Sequence, residues 1–462
     1  MRRSLLWRLH FWAAAIATPF VLLAALTGLL YVFTPQIEAS LYRRLDTVSP
    51  GPRRLALDDA VAAARQAAPA GLVLHSVMPA LAERDSVRVA FVPASSQRAN
   101  RAAPAVSAGH ENHAGGHADH GAPVEAPKAP AFLRRSFGIP TSALVVYVDP
   151  YTARVLGTLP EADRFTNWAR KLHSSLLQGD GWRWMIELGA SWMMVMLVTG
   201  IVLWWPRSGQ SALPVRGAAG RAAWKQWHAF LGIALALLSL TMVTTGLTWS
   251  RTAGGQVRWA RDLAGQTPPR IPGHFKSQVP EGGRMLGWED AWQAIHRHAP
   301  DTPTQIMPPA GRDGFWRANH LEKRGEPLKS FDLLVDAYSG KQLYFSGWDD
   351  QPAFGKATAI GIPFHRGEFG VWNQAILFLF GAGVLFSLVT GWTMVVKRRR
   401  AGGTFLPPLV PGAWRHAGPW TWLAGAVMFV AMPLLAASAV PVALAEALLE
   451  RRARRSRRAA AG

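Results

Sequence analysis

Two stretches of this chain open on a histidine and close on the same pair of residues. From Leu9 the sequence reads LHFWAAAIATPFVLLAALTG, and from Trp227 it reads WHAFLGIALALLSLTMVTTG, so His10 precedes Thr27-Gly28 and His228 precedes Thr245-Gly246 by one common offset. A second pair of runs ends alike, because LVTG occurs at 197–200 and again at 388–391. Upstream of these stand His173, in KLHSSLLQGDGW, and His365, in PFHRGEFGVW. Four apolar runs each follow a histidine, and a repeated unit of this kind has to fold its copies alike.

Residues 11–34, 184–205, 229–249 and 371–396 are nearly free of charge. Each is about 20 residues long, enough at a rise of about 1.5 Å per residue for a helix to cross a hydrocarbon layer of about 30 Å. The chain is therefore read as an integral membrane protein. Arg2, Arg3 and Arg8 precede the first run as in a secretory signal, but the run is long and ends in YVFTPQIEAS without a small-x-small site, which reads as an uncleaved anchor.

The formal net charge of +21 resembles that of a nucleic-acid binder until it is mapped. Arg2, Arg3 and Arg8 lead the first run, and Arg207, Arg216, Arg221 and Lys225 lie between the second and third. Lys397 to Arg400 and Arg415 follow the fourth, and six arginines fill residues 451–458. This is the positive-inside pattern of membrane proteins, with no nucleic-acid partner implied. The chain has no cysteine, which excludes disulfides, thiolate ligation and covalent haem attachment and leaves metal chemistry to histidine.

These readings give an α-helical membrane protein built on a duplicated pair of transmembrane helices: a four-helix core plus a fifth C-terminal apolar helix, with two outer α+β domains. The expected order is helix 1–34, outer domain 35–183 with an Ala-, Pro-, Gly- and His-rich disordered insertion at about 93–137, helix 184–205, inner loop 206–226 and helix 227–249. A second outer domain at 250–370, helix 371–396, inner loop 397–417, apolar helix 418–447 and an Arg-rich tail 448–462 complete the chain. The side of that tail stays open. One crossing puts the arginines outside against the charge rule, and about 30 residues are too few for two full crossings.

The outer domains echo one another. LALDDAVAAARQAAP from Leu55 matches LGWEDAWQAIHRHAP from Leu286, each an amphipathic helix with an acidic first turn; VDPYTARVL from Val148 matches VDAYSGKQL from Val335, each a strand, a turn and a strand. The cleft between the two domains is the expected substrate site, with Trp316, Trp348 and Phe354 as candidates to line it or to pack. Both halves start inside, so a pseudo-two-fold axis along the membrane normal would bring His10 to His228 at the inner face and His173 to His365 at the outer face.

Neutral imidazoles facing one another from two helices suit axial ligation of a planar haem, with apolar walls for the porphyrin. The alternative is that each histidine snorkels to the headgroups. His173 follows the stripe Phe165, Trp168, Leu172, which predicts a short interfacial helix broken at Gly179-Asp180-Gly181; His365 is expected in a Pro- and Gly-bounded loop. The Thr-Gly pairs permit close helix approach, with the hydroxyl bonding locally, or make space for a haem. His110, His113, His117 and His120, in HENHAGGHADH, offer weak surface metal capture or a solvated tail. No GxGxxG or P-loop fingerprint is present, so electrons come from elsewhere, either quinol or a cytoplasmic reductase.

The chain resembles the PepSY-associated transmembrane family, which includes bacterial inner-membrane ferric-siderophore reductases. The resemblance spans about residues 1–400 and is carried by LHFW with TG, VDPYTARVL and VDAYSGKQL, LHSSLLQGDGW with LVTGIVLWWP, and WHAFLG with TG. It implies two periplasmic PepSY-like domains, and two b-type haems ligated by His10, His173, His228 and His365 that pass electrons outward to a ferric siderophore. It further implies an oxidoreductase. Copper or another chelated metal is the alternative substrate, and a non-catalytic anchored PepSY protein that binds or inhibits an envelope peptidase is the alternative class.

Overall fold

The computed structural model describes residues 2–95, 132–133, 138–205, 213–321, 326–400 and 405–459. His110, His113, His117 and His120, and most of the segment read as a disordered insertion, lie outside the described residues.

Helices α1 (Arg2–Val32), α2 (Thr34–Leu41), α3 (Arg43–Asp46) and α4 (Leu57–Ala67) come first, followed by α5 (Phe165–Ser175), α6 (Trp184–Trp204), α7 (Gly220–Ala234), α8 (Ala236–Thr248) and α9 (Ala253–Leu263). After them come α10 (Trp288–His296), α11 (Ala353–Arg366), α12 (Val371–Arg400), α13 (Pro419–Ala431) and α14 (Pro433–Ala459). The strands are β1 (Leu72–Met78), β2 (Val87–Pro93), β3 (Phe132–Leu133), β4 (Leu144–Val148), β5 (Val155–Pro160), β6 (Ile271–Pro272), β7 (Thr304–Met307), β8 (Phe315–His320), β9 (Asp332–Asp336) and β10 (Gln342–Ser346). The chain divides into a helical unit, 1–32 with 171–264 and 371–462, and a sheet unit, 33–170 with 265–370.

Among the described residues of the helical unit, four helices are long and apolar enough to cross a membrane, within Arg3–Val32, Asp180–Trp204, Val371–Arg399 and Pro433–Ser456; α7 and α8 together make a fifth, bent by 57°. The third crossing is therefore not the straight helix expected over 227–249. It bends at Leu235, whose side chain packs where a Cβ on Gly383 of α12 would stand, at 2.4 Å. Helix α1 packs on α6 and α12, α7 on α12, and α8 on α6. The shared core includes Ala13, Ala17, Val21, Trp192, Val243 and Val384.

The C-terminal segment also departs from the single apolar helix expected over 418–447. It breaks at Met432 into α13 and α14, and α14 packs on α6, where Trp192 Nε1 donates to Ser438 Oγ at 2.9 Å. Further along α14, Glu446 accepts from Arg8 Nε and Nη2 at 3.0 and 2.6 Å and from Trp12 Nε1 at 2.5 Å. Arg8 also donates to Pro407 O, and the Gly412 amide donates to Glu450 at 2.8 Å. The segment enters and leaves at the basic end of α1, so the Arg-rich tail emerges where the charge rule wants it.

The sheet unit holds a finding that sequence did not reach: the two strand sets form one antiparallel sheet in the order β10-β9-β8-β7-β1-β2-β4-β5. They meet at Val77 opposite Ile306, where the expectation was a cleft between two separate domains. The order is symmetric about that join. Helices α4 and α10 cover one face, burying Leu57, Ala60, Val61 and Ala64 from one and Trp288, Ala291 and Ile295 from the other at helical spacing. Their acidic first turns cap one another: the Leu57 amide donates to Glu289 at 2.8 Å, and the Trp288 and Glu289 amides donate to Asp58 at 3.0 and 2.9 Å. Trp316 stacks edge-on against Trp288 with ring centres 4.8 Å apart inside this core, so it packs and lines no cleft.

The expected strand-turn-strand pairs are β4–β5 and β9–β10, each turned by an aspartate whose carboxylate accepts the amide two residues on, Asp149 from Tyr151 at 2.8 Å and Asp336 from Tyr338 at 3.0 Å.

Candidate functional site

Three of the four histidines expected as haem ligands lie in the helical unit, and each rests on a Thr-Gly pair of a different helix. His10 on α1 reaches α6, where its Nδ1 lies 3.0 Å from Met196 O and 3.1 Å from Thr199 Oγ1. His228 on α7 reaches α12, with Nδ1 at 3.1 Å from Ser387 O and 3.0 Å from Thr390 Oγ1. His173, in the last turn of α5, reaches back to α1, with Nδ1 at 2.9 Å from Thr27 Oγ1. The glycine after each threonine leaves room for the ring: a Cβ on Gly200 would stand 3.2 Å from His10 Cε1, one on Gly391 3.4 Å from His228 Cε1, and one on Gly28 3.5 Å from His173 Cε1.

These bonds decide which nitrogen carries the proton. Thr27, Thr199 and Thr390 donate their hydroxyl hydrogens to carbonyls of their own helices, Leu23 O at 2.7 Å, Val195 O at 2.7 Å and Ser387 O at 2.9 Å, which leaves each oxygen as an acceptor. Met196 O and Ser387 O can only accept. Nδ1 of each ring is therefore the donor, and Nε2 keeps its lone pair. A ring oriented through Nδ1–H with Nε2 open is how a histidine is prepared to bind a metal.

His10 and His228 also face one another, with ring centres 6.3 Å apart and planes at 82°. An iron bonded to one nitrogen of each ring at about 2 Å, the usual imidazole–metal distance, holds two ring centres roughly 6 Å apart. The pair fits axial ligation of a haem. A metal site of three or more His, Cys, Asp or Glu is absent among the described residues, and an axial pair needs none.

His173 sits where its sequence stripe placed it, on a short helix that ends before Gly179. The start of that helix is held by a buried charge hub. Arg164 donates to Tyr147 Oη at 2.9 Å, Asp46 at 2.8 Å and Glu38 at 3.4 Å, while Glu38 and Tyr42 Oη accept the Thr166 and Phe165 amides at 2.8 and 3.0 Å. Burial pushes the Tyr147 hydroxyl up to about 12 and raises the Glu161 carboxyl. At its other end, a small cavity of about 20 Å³ beside His173 is lined by Phe20, Leu23, Met185 and Ile186.

His365 belongs to the sheet unit and is helical, in the last turn of α11, where a loop was expected. Gly367, with φ of 77°, caps that helix. The fourth threonine, Thr245 on α8, makes the same backward bonds as the others, to Thr241 O at 2.8 Å and Met242 O at 3.1 Å. The seats on neighbouring helices are what sequence reasoning missed. The signal is an equal number of Thr-Gly pairs and candidate haem-ligand histidines, but sequence reasoning reads the pairs only as points of close helix approach or as space for a haem and does not say which histidine rests on which pair.

Several helices long and apolar enough to cross a membrane, two of which bring His10 and His228 face to face, define a multi-pass membrane protein. The chain belongs to the family described as the PepSY-associated TM region, whose model matches residues 7–398. No curated protein matches the chain.

Proposed function

We propose that this chain is a di-haem b-type electron-transfer protein of the bacterial inner membrane that reduces a ferric chelate, such as a ferric siderophore, in the periplasm. The observation that carries the proposal is the facing pair His10 and His228, 6.3 Å apart, each oriented through Nδ1 so that Nε2 is open. His10 and His228 hold the inner haem and, on the sequence repeat, His173 and His365 hold the outer one. A bound haem supplies reversible one-electron transfer between ferric and ferrous iron. The residues of the chain orient the ligands through Nδ1.

A chelate's hard oxygen ligands prefer Fe³⁺, so one added electron weakens the complex and frees iron with the chelator intact. The electron enters at the basic, cytoplasmic end, from quinol or a cytoplasmic reductase. Purified protein, reduced without oxygen and mixed with ferric siderophores, is expected to lose its reduced b-type band as Fe²⁺ appears. A band that stays reduced with every ferric chelate but reoxidises with Cu²⁺ moves the substrate to copper. A protein with no b-type spectrum refutes the reading and leaves an anchored PepSY protein that binds a peptidase.

A further inference from the structure

The basic ends of the helices repeat a spacing of their own. Arg3 lies seven residues before His10 on α1, Arg221 seven before His228 on α7, and Arg398 seven after Gly391, on which His228 rests. Seven residues are close to two helical turns, about 10 Å along the axis, so each arginine leaves its helix from the face that carries a histidine or its seat. The contacts agree. Arg3 Nη2 donates at 3.0 Å to Leu203 O of α6, the helix that also holds His10. Arg398 lies over the Trp7 ring at 5.2 Å, donates to Phe405 O, and is near enough to Arg221 for the two charges to repel.

Two like charges close enough to repel, Arg221 on α7 and Arg398 on α12, call for an anion. The first turns of α1 and α7 contain no acidic residue. Glu446, which packs against this end, accepts from Arg8 and Trp12 on either side of His10. A haem carries two propionate carboxylates that are costly to bury in hydrocarbon, and with its iron between His10 and His228 the nearest water lies at the arginine end. Guanidinium forks match carboxylates in shape and charge.

We propose that Arg221 and Arg398 bind the propionate carboxylates of the haem held by His10 and His228. The inference rests on the di-haem reading. It makes the inner site selective for a tetrapyrrole with free acids.

The test compares haem with its dimethyl ester, which keeps the iron and ring and lacks the charges. Haem-free full-length protein in a neutral detergent, carrying His173→Ala so that the inner site is read alone, is titrated with each while the Soret band and tryptophan quenching are followed. Haem is expected to bind about tenfold or more tightly than the ester, as one charge-assisted pair would give. Arg221→Gln with Arg398→Gln should bring the two affinities together and keep the low-spin spectrum; Arg221→Lys with Arg398→Lys, which keeps the charges, should retain part of the preference. Equal affinities in the parent protein, or a preference that survives the double Gln change, overturn the propionate role and leave the histidine ligation standing. Equal affinities together with phosphatidylglycerol that co-purifies with the parent and not with the double variant give the arginines to lipid headgroups and also overturn it. Uptake of neither compound refutes the proposal and the di-haem reading together.

Discussion

Filling the seat of His10 tests the histidine geometry directly. A Cβ on Gly200 would stand 3.2 Å from His10 Cε1, inside the ordinary carbon–carbon contact of about 3.5–4.0 Å. Gly200→Ala therefore asks the ring to shift by a few tenths of an ångström, and both Nδ1 contacts, 3.0 and 3.1 Å, can follow. Gly200→Val adds two methyls in the space the ring occupies. The ring then leaves Met196 and Thr199, losing bonds worth about 0.5–1.5 kcal/mol each, within the roughly 1–3 kcal/mol typical of an overpacked site. The matched control is Gly232→Val on α7, since a Cβ at Gly232 meets nothing within 4 Å and the substitution has the same helix propensity. Melting in detergent and the haem-to-protein ratio are the measurements. On the proposed di-haem reading, Gly200→Ala should keep both haems, Gly200→Val should lose one, and Gly232→Val should keep both. A Gly200→Val protein with full low-spin haem, or a Gly232→Val protein that loses as much, refutes the seat.

Three further outcomes are expected. Glu446→Ala leaves Arg8, which is 5 % exposed, with Pro407 O but without its carboxylate partner; losing charge-assisted bonds of this kind costs about 1.5–3 kcal/mol, so the melting temperature should fall while Glu446→Gln falls less, and equal loss in both variants would contradict a charge clamp. Reporter fusions at residues 130, 215 and 462 should place the first on one side of the membrane and the other two together on the opposite side, and a tail reporter that matches residue 130 would overturn the topology. Burial, and then the Arg317 charge, hold His75 below the ordinary histidine range, so its contribution to stability is complete above about 6.5, the unfolded value, and is lost as pH falls toward the folded value. The parent should lose more stability than His75→Gln between about pH 7.5 and 5; parallel losses would show that His75 does not titrate on unfolding. Glu161, raised by burial, acts in the opposite sense, but it is present in both proteins and cancels in the comparison.

Sequence alone determined what depends on local pattern. Uninterrupted apolar length located α1, α6, the α7–α8 pair and α12, because a hydrocarbon layer sets a minimum run that few other environments require. Spacing located α4, α5 and α10 and the Asp-turned strand pairs, since amphipathic period and turn chemistry act within a few residues. The repeat pointed to His10 and His228 as a pair. Tertiary structure decided where each partner lies on another element. The threonine that accepts from His10 is 189 residues away, and the glutamate that pairs Arg8 is 438 away; no local period relates them. The same holds for the join of β1 to β7, which turns two strand sets into one sheet, because an exposed strand edge is equally ready to end a sheet or to continue it. The return of α13 and α14 to the basic end was out of reach for a related reason. Chain length bounded the number of full crossings, while the bonds from Glu446 and Glu450 settled where a partial one ends.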